Sequence, residues 1–238
     1  MFCFEKIAVS IWRKKEHRLK IFWMILCAFL QIIPLSAQKI KLFDGKDLKN
    51  WYAFVQESGK HENATDIFHV ENRLIRLYGD KIGYLMTNKS FSNFKLTAEF
   101  RWNADSIFVK RSKTPNSGLM YLVPDSAKDR IWCAGIQFQI KPNNTGDFIF
   151  LGGITAEING EKTIAGKSIT YPKIKSAEKS MGKWNQIEVK FRKNEIYQYL
   201  NGKLVNKTQN PSVHSGRILL QYEGFPIDFR NITIQCYE

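Results

Sequence analysis

Gln137 and Gln139 stand two apart in the stretch AGIQFQI, residues 134–140, where apolar and polar side chains alternate. In a β-strand, successive side chains point to opposite faces, so the two amides share one face and Ile136, Phe138 and Ile140 the other. An amide offers donors and an acceptor side by side, which suits the hydroxyls of a sugar ring. A second alternating stretch, FKLTAEFRW at 94–102, carries Lys95, Thr97, Glu99 and Arg101 on its polar face. Asn116 precedes Ser117-Gly118, after which either the Leu119 and Tyr121 face or the Met120 and Leu122 face joins that surface. A groove bearing Glu99, Arg101, Asn116, Gln137 and Gln139 would bind an extended polar ligand, with Tyr121 and Trp132 as aromatic plates. Alternation alone describes a strand with one wet face equally well.

Acid–base chemistry would need a carboxylate or an imidazole. Asp147, Glu157 and Glu223 lie near turns or strand ends, while His61, His69 and His214 are far apart in sequence. The chain has no glycine-rich phosphate loop, no Gly-x-Ser-x-Gly elbow and no His-Glu-x-x-His pair. No Cys/His group has zinc spacing. Spacing does not identify the paired carboxylates of an ordinary glycosidase, because the partners come from different strands. No cofactor is required by this reading. A divalent cation would find oxygen donors at Asp147 and the neighbouring asparagines, though spacing does not establish one.

The elements that must hold these residues are strands. Residues 187–192, 196–200 and 227–234 repeat the period of two, the last with an irregularity at Asn231. Asn201-Gly202 is a strong hairpin signal, and Lys193-Asn194-Glu195 is another turn. No helical period is sustained after residue 37; residues 44–51 hold one short turn at most. Residues 152–181 read as long loops around a short strand or two. Many short antiparallel strands without helices give an all-β jelly-roll sandwich, with an inner face on each sheet and an outer face in water.

Ahead of this domain, Arg13, Lys14, Lys15, Arg18 and Lys20 form a basic run. The apolar segment 21–30 follows, then the small residues Ser36-Ala37 before Gln38. That order is a secretory signal over residues 1–37, too short in its apolar part for a membrane span. A single exported domain at 38–238 follows, periplasmic or extracellular and free of the membrane after cleavage. Of 36 basic and 22 acidic residues in the chain, six and two fall in the leader, so the remainder carries about +10. Its lysines and arginines are scattered, and no nucleic-acid motif is present. Cys133 and Cys236 are the cysteines of the domain; they could pair in an oxidising compartment, but two cysteines make no disulfide framework.

Four stretches taken in order carry a family resemblance. They are LFDGKDLKNW at 42–51, FKLTAEFRW with Asn116-Ser117-Gly118, WNQIEV leading to LNGK at 200–203, and GRILLQ with FRNI at 216–232. This order resembles the 3-keto-disaccharide hydrolase family, also called DUF1080, over nearly all of residues 40–236. The resemblance implies a concanavalin A-like jelly roll acting on an oligosaccharide or 3-keto-glycoside. It implies a reaction in which a base removes the C2 proton acidified by a 3-keto group, the aglycone leaves C1, and water adds to the enone. On the family segment, Gln139 matches a glutamine, Gln137 stands where glutamate is usual, and Lys141-Pro142 lie near its aspartate. Leu122 occupies a position that is often basic, and Glu223 falls near one that is often histidine. Gln137 cannot act as a base, which leaves Glu99, Asp147, Glu157, Glu223 or a histidine. Glu223 is preferred and Glu99 follows; otherwise the chain binds sugar without cleaving it.

Overall fold

The computed structural model describes residues 38–237 apart from 106, 108 and 109, so the leader at 1–37 lies outside the described residues. Short strands come first: β1 Lys39–Lys41, β2 Trp51–Val55, β3 Gly59–His61, β4 His69–Glu71, β5 Leu74–Leu77 and β6 Gly83–Thr87. The middle of the chain supplies β7 Phe94–Trp102, β8 Ser117–Val123, β9 Gly135–Ile140 and β10 Phe148–Leu151. Three short strands follow, β11 Glu157–Ile158, β12 Glu161–Lys162 and β13 Ser168–Tyr171. Longer strands close the chain: β14 Asn185–Arg192, β15 Glu195–Leu200, β16 Lys203–Gln209, β17 Arg217–Tyr222 and β18 Ile227–Cys236. The helical content among the described residues is one 3₁₀ turn at Ala64–Asp66.

All strand pairs are antiparallel, and they make two sheets. The first runs β12-β11-β16-β15-β14-β7-β18-β5-β4, with β1 also on β18. The second runs β13-β10-β9-β8-β17-β6-β2-β3. This is the jelly-roll sandwich that the alternation predicts. Between the sheets lie Phe94, Phe100, Phe138, Phe148, Phe150 and Phe191, all essentially without exposure. Burial of such side chains stabilises the fold by roughly 2–3 kcal/mol each.

Turn chemistry sets the register. Asn201 and Gly202 both adopt positive φ, as the tight hairpin between β15 and β16 requires. Asn231 also has positive φ, where the β18–β7 register shifts between Arg230 and Thr233. The sequence irregularity there is a β-bulge. Alternation did not reveal β2, β6 or β8, because these strands are buried on both faces and lose the polar half of the pattern.

Cys133 and Cys236 are free thiols. Cys133 packs outside the second sheet, and Cys236 ends a strand of the first. Burial pushes the Cys133 thiol up to about 12. The strand that bears the two glutamines depends on its inner face. Phe138→Ala should therefore cost about 3–5 kcal/mol and lower the melting temperature by roughly 10 °C in calorimetry.

Candidate functional site: an amide chain ending on Glu223

With Ile136, Phe138 and Ile140 in the core, Gln137 and Gln139 point out of the second sheet. The register places Gly118 opposite Gln139 and Met120 opposite Gln137 on neighbouring β8. It is therefore the Met120 face of β8 that joins the glutamines. Tyr121 is wholly buried in the core, where its hydroxyl accepts a 2.9 Å hydrogen bond from Gln198 Nε2, so it is no sugar plate. Leu122 has φ of 52° and turns inward as well, because β8 is irregular against β17 there.

The expected face is not open to water: Gln137 is 4% exposed and Gln139 8%. Ala127 and Cys133, from the segment between β8 and β9, pack with Met120 and Leu219 over part of it. Buried amides must find partners, and here they find one another. Gln137 Nε2 donates to Gln139 Oε1 in a short contact. Gln139 Nε2 donates to Asn116 Oδ1 at 3.2 Å, and Asn116 Nδ2 donates to Glu223 Oε2 at 2.6 Å. Every donor in the chain points toward the carboxylate, which is half-buried just beyond β17. Burial pushes the Glu223 carboxyl above the ordinary glutamate value, against the opposing pull of the Asn116 hydrogen bond and the Lys141 charge. A carboxylate held this way suits proton transfer nearer neutral pH.

Gly118 makes the arrangement possible. A Cβ there would lie 2.5 Å from Gln221 Oε1 and 2.6 Å from Gln137 Nε2. Gln221, on β17, is 2% exposed and its Oε1 has no partner. Its strand RILLQY is buried along almost its whole length and does not alternate, so period two gave no signal for Gln221. Farther along the same face, the Tyr52 and Tyr84 hydroxyls both donate to Asp129 Oδ1, at 2.7 and 2.6 Å, and Arg217 Nη1 donates to Tyr52 at 2.9 Å. Burial and the Asp129 hydrogen bond drive both phenols far up. No sequence spacing predicts this cluster, whose members come from four separate segments.

Glu99 and Arg101 belong elsewhere. They face outward from β7, in the other sheet, so they cannot share a groove with Gln137. Glu99 Oε2 takes a 2.7 Å bond from Arg230 Nε, and Glu99 Oε1 a 3.1 Å bond from Asn231. Arg101 pairs with Asp228 at 3.0 Å and lies 4.9 Å over Trp184. Both are structural ion pairs of the first sheet. Trp132 is 52% exposed on the segment before β9, so its ring is presented to solvent. Asp147 is buried, with Oδ1 bonded to the Lys173 amide at 2.9 Å and Oδ2 to Asn144 at 3.1 Å. No group of three acidic, histidine or cysteine side chains suited to a metal occurs among the described residues, and Asp147 is committed to its own loops. Glu157 is bonded by Gln209 and Asn210 at the edge of the first sheet.

A two-sheet antiparallel sandwich with a polar cluster on an outer face defines a jelly-roll protein. A family model described as a 3-keto-alpha-glucoside-1,2-lyase-like domain matches residues 38–235, and the chain belongs to that family. Among curated proteins, no sequence matches. Among solved structures, a candidate glycosyl hydrolase from Parabacteroides distasonis superposes with a TM-score of 0.60 at 19% identity, over 84% of this chain and 94% of that one. The carbohydrate-binding module CBM66 from Bacillus subtilis gives 0.53 at 12% identity, over 79% and 96%. At these identities the likeness is one of fold.

The raised Glu223 carboxyl makes a signed prediction. A group whose folded value is raised contributes stability that is fully present below its unfolded value and lost as pH rises through the folded one. Glu223→Gln keeps an acceptor for Asn116 but no charge. Its melting temperature should exceed the wild type's at pH 7 by about 2–4 °C at most, the difference disappearing near pH 3. Asn116→Ala should raise the Glu223 carboxyl further, as read by carbon-detected NMR titration.

Proposed function

We propose that this chain is an exported enzyme that cleaves 3-keto-glycosides, with Glu223 as the base. The observation that carries the reading is the amide chain whose donors run in one direction and whose last member, Asn116, bonds that one carboxylate. A carbonyl at C3 acidifies the C2 hydrogen, so one well-placed carboxylate suffices to form the enolate. The bond from C1 to the aglycone oxygen then breaks, leaving an enone, and water adds to it at C1. The developing enolate oxygen needs donors nearby, and the Lys141 ammonium and the Asn116 amide are the nearest candidates beside Glu223. Ionised Glu223 accepts from Asn116 at Oε2, so the C2 proton would go to Oε1.

Several facts support the reading without depending on ordinary glycosidase chemistry. Membership of a family described as 3-keto-alpha-glucoside-1,2-lyase-like supports this reaction class. Raising the carboxyl by burial moves the base toward neutral pH. The basic, apolar and small-residue order at 13–37 supports export to the periplasm or the exterior. Because Gln137 and Gln139 are nearly buried, the sugar would approach through the Asn116 and Glu223 end, with the exposed Trp132 ring as a further contact.

A second reading is favoured by one residue. Gln137 replaces the family's usual glutamate, which fits a jelly roll that holds an oligosaccharide without cleaving it.

A chromogenic 3-keto-glucoside separates the two. Aglycone release by the wild type should fall about 10²–10⁴-fold in Glu223→Gln, with kcat rising with pH through a value above that of an ordinary glutamate. Saccharide binding with no release at any pH would leave the binding module as the answer.

A further inference from the structure

A depression of about 660 Å³ lies on the other sheet, away from Glu223. Lys39 and Lys41 of β1 line it, with Arg73 from the turn between β4 and β5. Its two carboxylates are already engaged. Asp44 Oδ1 accepts from the Lys46 amide at 2.8 Å, and the carboxyl is held below its ordinary value by that bond. Glu99 is held by Arg230 and Asn231, and Arg230 lies 3.9 Å over the Trp184 ring. Lys39, Lys41 and Arg73 have no carboxylate partner among the described residues. Glu99 is offset by Arg230, and Lys39, Lys41 and Arg73 outnumber the one remaining carboxylate, Asp44, so the hollow is net cationic.

Lysines on an edge strand ordinarily protect it from pairing with other chains, which would account for Lys39 and Lys41. It does not account for Arg73. That residue has φ of 61° and follows Asn72 at 52°, a turn that favours Asn or Gly at both central positions. An arginine there is strained, and such strain marks sites where the side chain has a use. Gly45 yields to it as well: a Cβ at Gly45 would lie 3.2 Å from Arg73 Cβ and Nε. A planar guanidinium in the same hollow as two ammonium groups suits a carboxylate or sulfate, while the Gln186 amide and the Thr97 and Thr233 hydroxyls, which bond each other at 2.7 Å, offer contacts to a sugar.

We propose that this hollow is a second, non-catalytic site for an acidic sugar, a uronate or sulfated residue, which tethers the domain to a polyanionic glycan. The anion preference stands on the cations alone; its being carried on a sugar rests on the carbohydrate reading above.

Isothermal calorimetry at low ionic strength with tetragalacturonate, a sulfated chondroitin tetrasaccharide and maltotetraose tests it. At least one acidic ligand should bind about tenfold or more tightly than the neutral one, weakening as salt rises. Whichever acidic ligand binds identifies the anion. Arg73→Asn should weaken that binding while holding or raising the melting temperature, since Asn relieves the turn. Adding Lys39→Ala and Lys41→Ala should abolish binding, with 3-keto-glucoside turnover unchanged. Equal binding of all three ligands would overturn the proposal. So would an equal loss from Lys203→Ala with Lys207→Ala, exposed lysines elsewhere on the same sheet. A protein that binds the acidic ligand through Arg73 yet releases no aglycone would sink the hydrolase reading and leave this site standing.

Discussion

A polar side chain buried on a sheet face must be bonded by its neighbours on that face, because water does not reach it. Gln137 and Gln139 are under that constraint, and the rest of the site follows from it. Each amide has one donor end and one acceptor end, so a file of them carries a direction. Gln137 donates to Gln139, Gln139 to Asn116, and the last donor falls on Glu223. An acceptor is needed at the end of the file, and a carboxylate supplies the strongest. Lys141 contributes charge to the same point. The Glu223 position is thus set by hydrogen-bond polarity as much as by the backbone that carries it.

The same constraint gives a physical sense to the departure from the family pattern at residue 137. A glutamate there would bring a carboxylate toward Gln139 Oε1, with Gln221 Oε1 on the other side of the Gly118 gap. The Gln139 amide would then have to turn its Nε2 toward residue 137, reversing the file. A glutamine at 137 donates instead, so the file runs toward Asn116 and Glu223.

The two sheets use their outer faces differently. On the first, charges are paired laterally: Glu99 with Arg230, Arg101 with Asp228, and Lys95 with Glu188 at 2.9 Å. The Lys95–Glu188 and Glu99–Arg230 pairs, which reach solvent, add about 0–1 kcal/mol each, whereas Asp228 is buried beneath its arginine. The second sheet buries much of its outer face under Ala127 and Cys133, with Met86, Met120 and Leu219 forming an apolar patch. Asp129 closes that patch by taking both tyrosine hydroxyls. Apolar covering on one side and amide pairing on the other leave the Asn116–Glu223 end as the accessible part of the polar file.

Local patterning determined a good deal by itself. Period-two alternation at 94–102, 134–140 and 187–192 fixed which side chains face the core, because a strand offers only two faces. Asn201-Gly202 placed a hairpin and Asn231 a bulge, since few residues accept positive φ. The ordered motifs were enough for the family. Alternation cannot say which sheet a strand joins, and so Glu99 and Arg101 read as neighbours of Gln137 when they stand on the opposite layer. Nor can it register a bulge such as that at Leu122, which sends Tyr121 and Leu122 both inward. Bringing Asn116, Gln139, Gln221 and Glu223 together took three strands and the loops at their ends, with contacts separated by as many as 107 residues. Only the tertiary pairing of β9, β8 and β17 decided that, because hydrogen bonds between side chains depend on register across strands and not on spacing along one.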